Sequence, residues 1–291
     1  PAVGGRELGD HGEGDVRDAP AVMRAFERST PEIVFHLAAQ PLVRRSYREP
    51  KETFDVNIGG TTNVLEGVRR TESVRACVVV TSDKCYENRE WVHAYRESDA
   101  LGGHDPYSAS KGAAEIVTAS YRRSFFAHAE TNRAIGVASA RAGNVIGGGD
   151  FAVDRIVPDC VRALSAGEAV LLRNPGATRP WQHVLDPLSG YLVLAQKLLE
   201  NPHRFSDAWN FGPASGSPIT VGSMAEQFVD AWGQGVITRL PQHEARVHEA
   251  HMLQLSIVKA SSELGWNPTM DTKAAIAWTA RWYRAWHDGA R

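Results

Sequence analysis

Cysteine is scarce: Cys77, Cys85 and Cys160 are the three in 291 residues, an odd number with no C-x-x-C spacing. A disulfide framework and a cysteine zinc site are excluded, and two of the three sit beside apolar residues, as reduced packing side chains do. Charge of one sign is lacking as well. Thirty-two Lys and Arg stand against 34 Asp and Glu, a formal net charge of -2. No overall field therefore draws the chain to nucleic acid or an anionic membrane, and any anionic ligand must be held by local groups. Apolar runs such as 76–80 fall far short of the ~20 residues of a membrane span. The first residues also lack the charged-then-apolar order of a signal peptide. The expectation is a cytoplasmic chain with no membrane and no nucleic-acid partner. Internal repeats and low-complexity tracts are missing too.

What is present is an alternation of short apolar runs with amphipathic stretches. Strands are predicted over 33–35, 76–80 and 134–140, and helices over 61–70 and 107–121, the first with Val64, Leu65 and Val68 at helical spacing. Alternation of this kind predicts an α/β fold with a parallel, Rossmann-type sheet, whose ligands bind beyond the carboxyl ends of the strands. Polar clusters follow each run: His36 to Gln40, Thr81 to Lys84, and Arg141 to Asp150. Beyond Asp150 the elements become shorter and richer in proline, which predicts a smaller mixed α/β region over that edge. A helix over 186–199 is expected, with Asp186 as N-cap and Pro187 at the first helical position. Over 272–286 the stripe Trp278, Trp282 and Trp286 reads as core or interface. The expected division is 1–142 with 180–208 for a cofactor domain and 143–179 with 209–291 for a substrate domain.

A dinucleotide fold normally opens with a strand, a glycine-rich turn and a helix that hold the pyrophosphate. Here Gly4, Gly5, Gly9, Gly12 and Gly14 follow no apolar strand and read as loop. Gly143 and Gly147 to Gly149 follow a strand with no helix starting at once, a weak phosphate cradle. The expectation is a sheet lacking its first βαβ unit, with weakened cofactor retention.

Chemistry concentrates elsewhere. Tyr107 and Lys111 lie four apart at the start of a predicted helix, on one face. A phenol is a poor base at its ordinary pKa of about 10, and an ammonium one turn away favours the phenolate. In the strand-end cluster, Ser82 can hydrogen-bond a substrate hydroxyl and Asp83 can deliver a proton to a leaving one.

Four segments, Val34 to Gln40, Thr81 to Tyr86, Tyr107 to Lys111 and Arg141 to Asp150, resemble the extended short-chain dehydrogenase/reductase superfamily. Thr81 to Trp91, Arg173 to Pro175, Arg179 to Val184 and His248 to His251 are similar to its CDP-glucose 4,6-dehydratase branch. That resemblance implies an NAD-dependent lyase acting on CDP-glucose, expected to be a homo-oligomer, in which NAD is reduced and reoxidised within one turnover. It implies that Tyr107 takes the C4 hydroxyl proton with help from Ser82, and that Lys111 lowers the Tyr107 pKa and holds the ribose. Asp83 is then the acid in elimination across C5 and C6. Lys84 stands where the dTDP-glucose branch carries a glutamate as C5 base, so that base stays unassigned. By the same resemblance Asp15, Val16, Leu37, Ala38 and Ala39 join Lys111 around the cofactor, and Asn144, Arg173, Arg179 and His183 contact the sugar nucleotide. Asn57 is implied as a structural polar residue. No metal ligands are expected, His248 and His251 included. A nucleotide-sugar 4-epimerase is the rival enzyme, and a non-catalytic sugar-nucleotide-binding remnant the rival from another class.

Overall fold

The computed structural model describes residues 9–126, 134–214, 219–239 and 252–289. In chain order the first half holds α1 (Ala19–Ser29), β1 (Ile33–His36), α2 (Val43–Arg48), α3 (Pro50–Phe54), α4 (Gly60–Arg70), β2 (Ala76–Val80), α5 (Pro106–Tyr121) and β3 (Gly136–Ala142). The second holds β4 (Val145–Ile146), α6 (Ile156–Ser165), β5 (Val170–Leu172), β6 (Thr178–Arg179), β7 (Gln182–His183), α7 (Leu185–Glu200) and α8 (Pro202–Phe205). It ends with β8 (Ala208–Phe211), β9 (Ile219–Thr220), α9 (Val221–Trp232), β10 (Ile237–Arg239) and α10 (Thr272–His287).

The main sheet is parallel in the order β1-β2-β3-β8. β2, β3 and β8 are buried on both faces, whereas β1 leaves Phe35 exposed, and the two-residue period sorts the inward side chains into two cores. Cys77, Val79 and Val137 pack with Phe26, Val64, Leu65 and Val68 of α1 and α4. Ala76, Val78, Ala138 and Ala140 meet Tyr191, Leu194 and Leu198 of α7 on the other face. A third core joins α6, α9, α10 and β5 through Val161, Leu172, Phe228 and Tyr283.

Several details of the fold bear on the expectations. β3 begins and ends two residues later than 134–140, so Arg141 lies inside the sheet rather than in the loop beyond it. Asp186 is not the cap of α7: Val184 holds that position, and the Asp186 carboxylate accepts hydrogen bonds from the Thr269 backbone N–H and hydroxyl and from Met270 N–H. Tying down that connection outweighs capping. Along α10, Trp278 and Trp286 are exposed while Ile276, Ala280 and Tyr283 fill the core. The expected domain boundary at 208 falls inside β8, which completes the parallel sheet.

Candidate active site

Where β2 ends the chain makes a single 3-10 turn, Asp83–Cys85, capped by Ser82, whose Oγ accepts the Lys84 N–H at 3.2 Å. That hydroxyl also donates to Asp83 Oδ1 at 2.9 Å. The helix that carries Tyr107 starts alongside. Asp105 caps α5 by accepting the Ser108 N–H, and Pro106 takes the first helical position, where its missing N–H costs nothing. Glycine lets helix and turn close together: a Cβ at Gly103 would lie 2.2 Å from Ala109 N, and one at Gly112 3.0 Å from Gly102 O. Asn57 ties this helix to the end of β1 through Gln40 and Ser110, the structural role expected of it.

A third segment closes on the acid. After β3 the chain turns at Gly143 and Asn144, with Asn144 in the left-handed region at φ 51°. Asn144 Nδ2 donates to Asp83 Oδ2 at 3.2 Å, and a Cβ at Gly143 would sit 2.0 Å from that same oxygen. Buried Gln182 holds the turn from below, donating to the Gly143 and Phe211 carbonyls. Asp83 is thus 4% exposed with a hydrogen-bond donor on each carboxylate oxygen.

Ser82, Asp83, Lys84, Tyr107, Asn144 and Arg179 line one cavity of about 710 Å³. Burial pushes the Tyr107 phenol up to about 12, against a hydrogen bond with Ser82 and the charge of Arg155, while Asp83 and Asp105 add to the rise. Burial brings the Lys111 ammonium down to about 8, offset in part by Glu115. The expectation that Lys111 draws the phenol toward neutral pH is therefore corrected: removal of both groups from water outweighs their spacing on the helix. Lys111 lies behind the cavity wall, its ammonium making a long 3.4 Å contact to the Val80 carbonyl.

Other expected residues lie apart from these. Arg173 is not among the cavity-lining residues and pairs with Asp154 at 3.1 Å. His183 packs edge-on against Trp278 and accepts the Leu185 N–H through Nδ1, also away from the lining. Leu37 and Ala38 are exposed, and Ala39 half-buried, in the loop after β1. Asp15 engages Arg17 at the start of α1, and the Val16 side chain fills the space beside Gly60. Of the glycine run, Gly147 abuts Val184 and Gly148 abuts Trp282, so packing accounts for them better than a phosphate cradle. His248, His251, Gly4 and Gly5 lie outside the described residues.

Sequence reasoning missed Arg44 and Arg155, which line the cavity, and the buried pair Glu115–Arg141, 2.8 Å apart. Glu115 had a signal, standing four residues after Lys111 on the same helical face. Arg155 had none, because it reaches the cavity through a fold of the 150–155 loop.

A parallel α/β sheet with a tyrosine and lysine on one helix and an acid at a neighbouring strand end defines the extended short-chain dehydrogenase/reductase class. Solved structures share the fold: UDP-glucose 4-epimerase of Thermus thermophilus, in complex with NAD, superposes with TM-score 0.78 at 24% identity over 93% of this chain and 83% of that one. The dTDP-glucose 4,6-dehydratase DesIV of Streptomyces venezuelae does so with TM-score 0.78 at 23% identity, over 93% of this chain and 78% of that one. Within that class the chain belongs to the GDP-mannose 4,6 dehydratase family, whose model matches residues 10–279. It is 47% identical over 277 residues to CDP-glucose 4,6-dehydratase of Salmonella typhimurium, covering 95% of this chain and 77% of that relative. It is 30% identical over 272 residues to dTDP-glucose 4,6-dehydratase of Streptomyces antibioticus, covering 93% and 75%.

Proposed function

We propose that the protein removes water from CDP-glucose, giving CDP-4-keto-6-deoxyglucose, with NAD neither consumed nor produced overall. The observation that carries this reading is the convergence of Tyr107, Ser82 and Asp83 on one cavity. A base without the acid would serve an epimerase; Asp83 is what a dehydration adds. The residues fit the dinucleotide: a buried ammonium whose hydrogen bonding among the described residues is one long carbonyl contact suits the hydroxyls of a ribose, and Lys111 is such a group. A bound NAD would supply a hydride acceptor for the sugar and a hydride donor within the same turnover.

The chain's own groups move the protons. Tyr107, as phenolate, takes the proton of the C4 hydroxyl; Arg155 favours that charged form electrostatically. Asp83 protonates the departing C6 oxygen, after C5 has been acidified by the new C4 carbonyl. Lys84, on the same turn, adds positive charge beside the enolate that forms. Arg179 offers a planar guanidinium to the diphosphate, with Arg44 and Arg155 as further cationic groups in the lining. The free buried thiols of Cys77, Cys85 and Cys160 support a reducing, cytoplasmic setting.

Incubation with NAD and CDP-glucose should yield the keto product, detected by its absorbance in alkali; CDP-galactose without that product would favour epimerisation instead. General acid and base groups contribute about a hundredfold to ten-thousandfold. Asp83→Asn should therefore let the 4-ketohexose accumulate undehydrated on rapid quenching. Tyr107→Phe should form almost none. Equal absence of the ketohexose in both variants would remove Asp83 from the acid role.

A further inference from the structure

Asp83 is presented by a single turn of 3-10 helix, Asp83–Cys85. Its own backbone hydrogen bonds are few, from Cys85 N–H to the Ser82 carbonyl at 3.1 Å and from Tyr86 N–H to the Asp83 carbonyl at 3.4 Å. So short a turn is a poor mount for a carboxylate that must meet a leaving oxygen within hydrogen-bond reach. Its placement has to come from the flanks. On those flanks stand Thr81 and Tyr86, both buried, and their hydroxyls end on one buried ion pair. Thr81 Oγ1 donates to Glu115 Oε1. The Tyr86 hydroxyl accepts Arg141 Nη1 at 2.7 Å and donates to Asn210 Oδ1 at 2.8 Å. Arg141 Nη2 closes the ring on Glu115 Oε2 at 2.8 Å.

The ring joins three elements. Glu115 belongs to α5, the helix that also carries Tyr107 and Lys111. Arg141 belongs to β3, and the chain runs on from it through Ala142 and Gly143 to Asn144, whose Nδ2 donates to Asp83 Oδ2 at 3.2 Å. The Arg141 strand therefore reaches the acid twice, through Tyr86 at the end of the turn and through Asn144 at the carboxylate itself. The Arg141 Cζ also sits 4.9 Å from the centroid of the Tyr86 ring, and Tyr95 stacks on that ring at 5.1 Å, so the phenol cannot swing without losing both contacts. Stability alone does not call for this arrangement. A buried ion pair is often no more stabilising than apolar residues of the same size, and apolar contact has no direction. Direction is what the hydrogen bonds of the pair supply.

We infer that the Glu115–Arg141 pair positions the acid: by holding Thr81 and Tyr86 on either side of the turn, it sets Asp83 against the helix that carries Tyr107. Thr81 and Tyr86 are its two arms, positioning residues that act through Asp83. Elimination depends on them most. Tyr107 is placed by α5 itself, which starts on the Asp105 cap, whereas Asp83 is placed by the arms and by Asn144. Removing one hydroxyl frees one end of the turn, and a displacement of about an ångström at a reacting group can cost about a hundredfold. Oxidation at C4 should then continue while the departure of the C6 oxygen lags.

This inference rests on the dehydratase reading, and the experiment separates the two. Single turnovers of the NAD-loaded protein with CDP-glucose are quenched, and the 4-ketohexose and the dehydrated product are counted for wild type, Tyr86→Phe, Thr81→Val, Thr81→Ser and Ser139→Ala. Each is assayed well below its own melting temperature. Tyr86→Phe keeps the ring and removes only the hydroxyl; it should slow dehydration by about tenfold to a hundredfold, while the ketohexose forms near the wild-type rate and accumulates. Thr81→Val should slow dehydration likewise, and Thr81→Ser, which keeps the hydroxyl, should restore it. Ser139→Ala is the control for a merely structural role, because Ser139 Oγ donates at 2.7 Å to the same Glu115 oxygen as Arg141 but holds β3 rather than the turn. It should lower the melting temperature and leave the ratio of the two rates unchanged. Should Tyr86→Phe fail to fold, the two Thr81 variants carry the test alone. An unchanged ratio in Tyr86→Phe or Thr81→Val, no recovery in Thr81→Ser, or the same change in Ser139→Ala would overturn the positioning role while leaving the acid role of Asp83 standing. No dehydrated product from wild type would overturn the dehydratase reading, and this inference with it.

Discussion

Lys111 and Glu115 sit one turn apart on α5, both buried, and the fold treats them in opposite ways. Glu115 is fully matched: Arg141 Nη2 lies 2.8 Å away, and the Thr81 and Ser139 hydroxyls donate to its two oxygens. Burial alone would raise its pKa, but Arg141 and these hydrogen bonds hold it below the ordinary value. Arg141 in turn reaches the Tyr86 hydroxyl and the Glu97 carbonyl, linking β3 to the loop after β2. Among the described residues Lys111 makes one long contact, to the Val80 carbonyl, and burial weakens its ammonium to about 8. A buried charge with every partner supplied locks elements together, whereas a buried charge left short of partners is suited to receive a ligand's.

The largest effect should come from breaking the matched member. Glu115→Ala strands Arg141 and two hydroxyls in the interior, and loss of one partner of a buried pair costs about 3–5 kcal/mol. Urea unfolding should register a drop of that size. A change below about 1 kcal/mol, typical of surface pairs, would mean that water reaches Arg141 and the comparison fails. The double variant Glu115→Leu with Arg141→Met should be less destabilised than Glu115→Ala, since no charge is then left alone.

Removing Lys111 should act in the opposite direction on stability. Its folded pKa of about 8 lies below the ordinary 10.5, so between those values the unfolded chain holds more protons and stability rises with pH. Below pH 8 the cost of burying the ammonium is fully present. Lys111→Met should therefore raise stability at pH 7 by about 3 kcal/mol at one pKa unit per 1.4 kcal/mol, with the gain shrinking above pH 8 and absent beyond 10.5. Turnover should fall steeply in the same variant. Unchanged stability at pH 7 would show Lys111 to be better satisfied than its 3.4 Å contact suggests.

The same contrast marks what could be read from sequence. Continuous β-branched burial at 76–80 and the spacing of Val64, Leu65 and Val68 are local, period-driven signals, and both elements appear as expected. Ser82, Asp83, Tyr107 and Asn144 were legible as strand-end and helix-start residues because the sheet topology gathers those positions at one edge. The Glu115–Arg141 pair was not, since residues 26 apart meet only once β3 is in register beside β2. His183 and Arg173 misled for a related reason. Proximity in sequence to Arg179 gives no direction for a side chain, and the short β7 and the end of β5 point theirs toward α10 and Asp154.

The smallest effect is expected at His36, a second weakened cation near Lys111. Its Nε2 lies 3.0 Å from Thr61 Oγ1, and the Thr61 hydroxyl spends its proton on the Asn57 carbonyl. Nε2 must then be the donor, so in the neutral form the ring carries its proton on that nitrogen. Burial, and after it the Lys111 charge, bring its pKa from 6.5 to about 4. Between those values the unfolded chain is protonated and the folded one is not, so stability is lost as pH falls. By pH 5 the loss from this one group should approach about 2 kcal/mol, and His36→Gln, which keeps a donor for Thr61, should flatten that part of the pH profile. In the Lys111→Met background the Coulombic part disappears, the His36 pKa should rise, and the acid loss should shrink. If wild type and His36→Gln lose stability equally between pH 7.5 and 5, His36 is protonated in the folded protein, and weak solvation at this end of the sheet belongs to Lys111 alone.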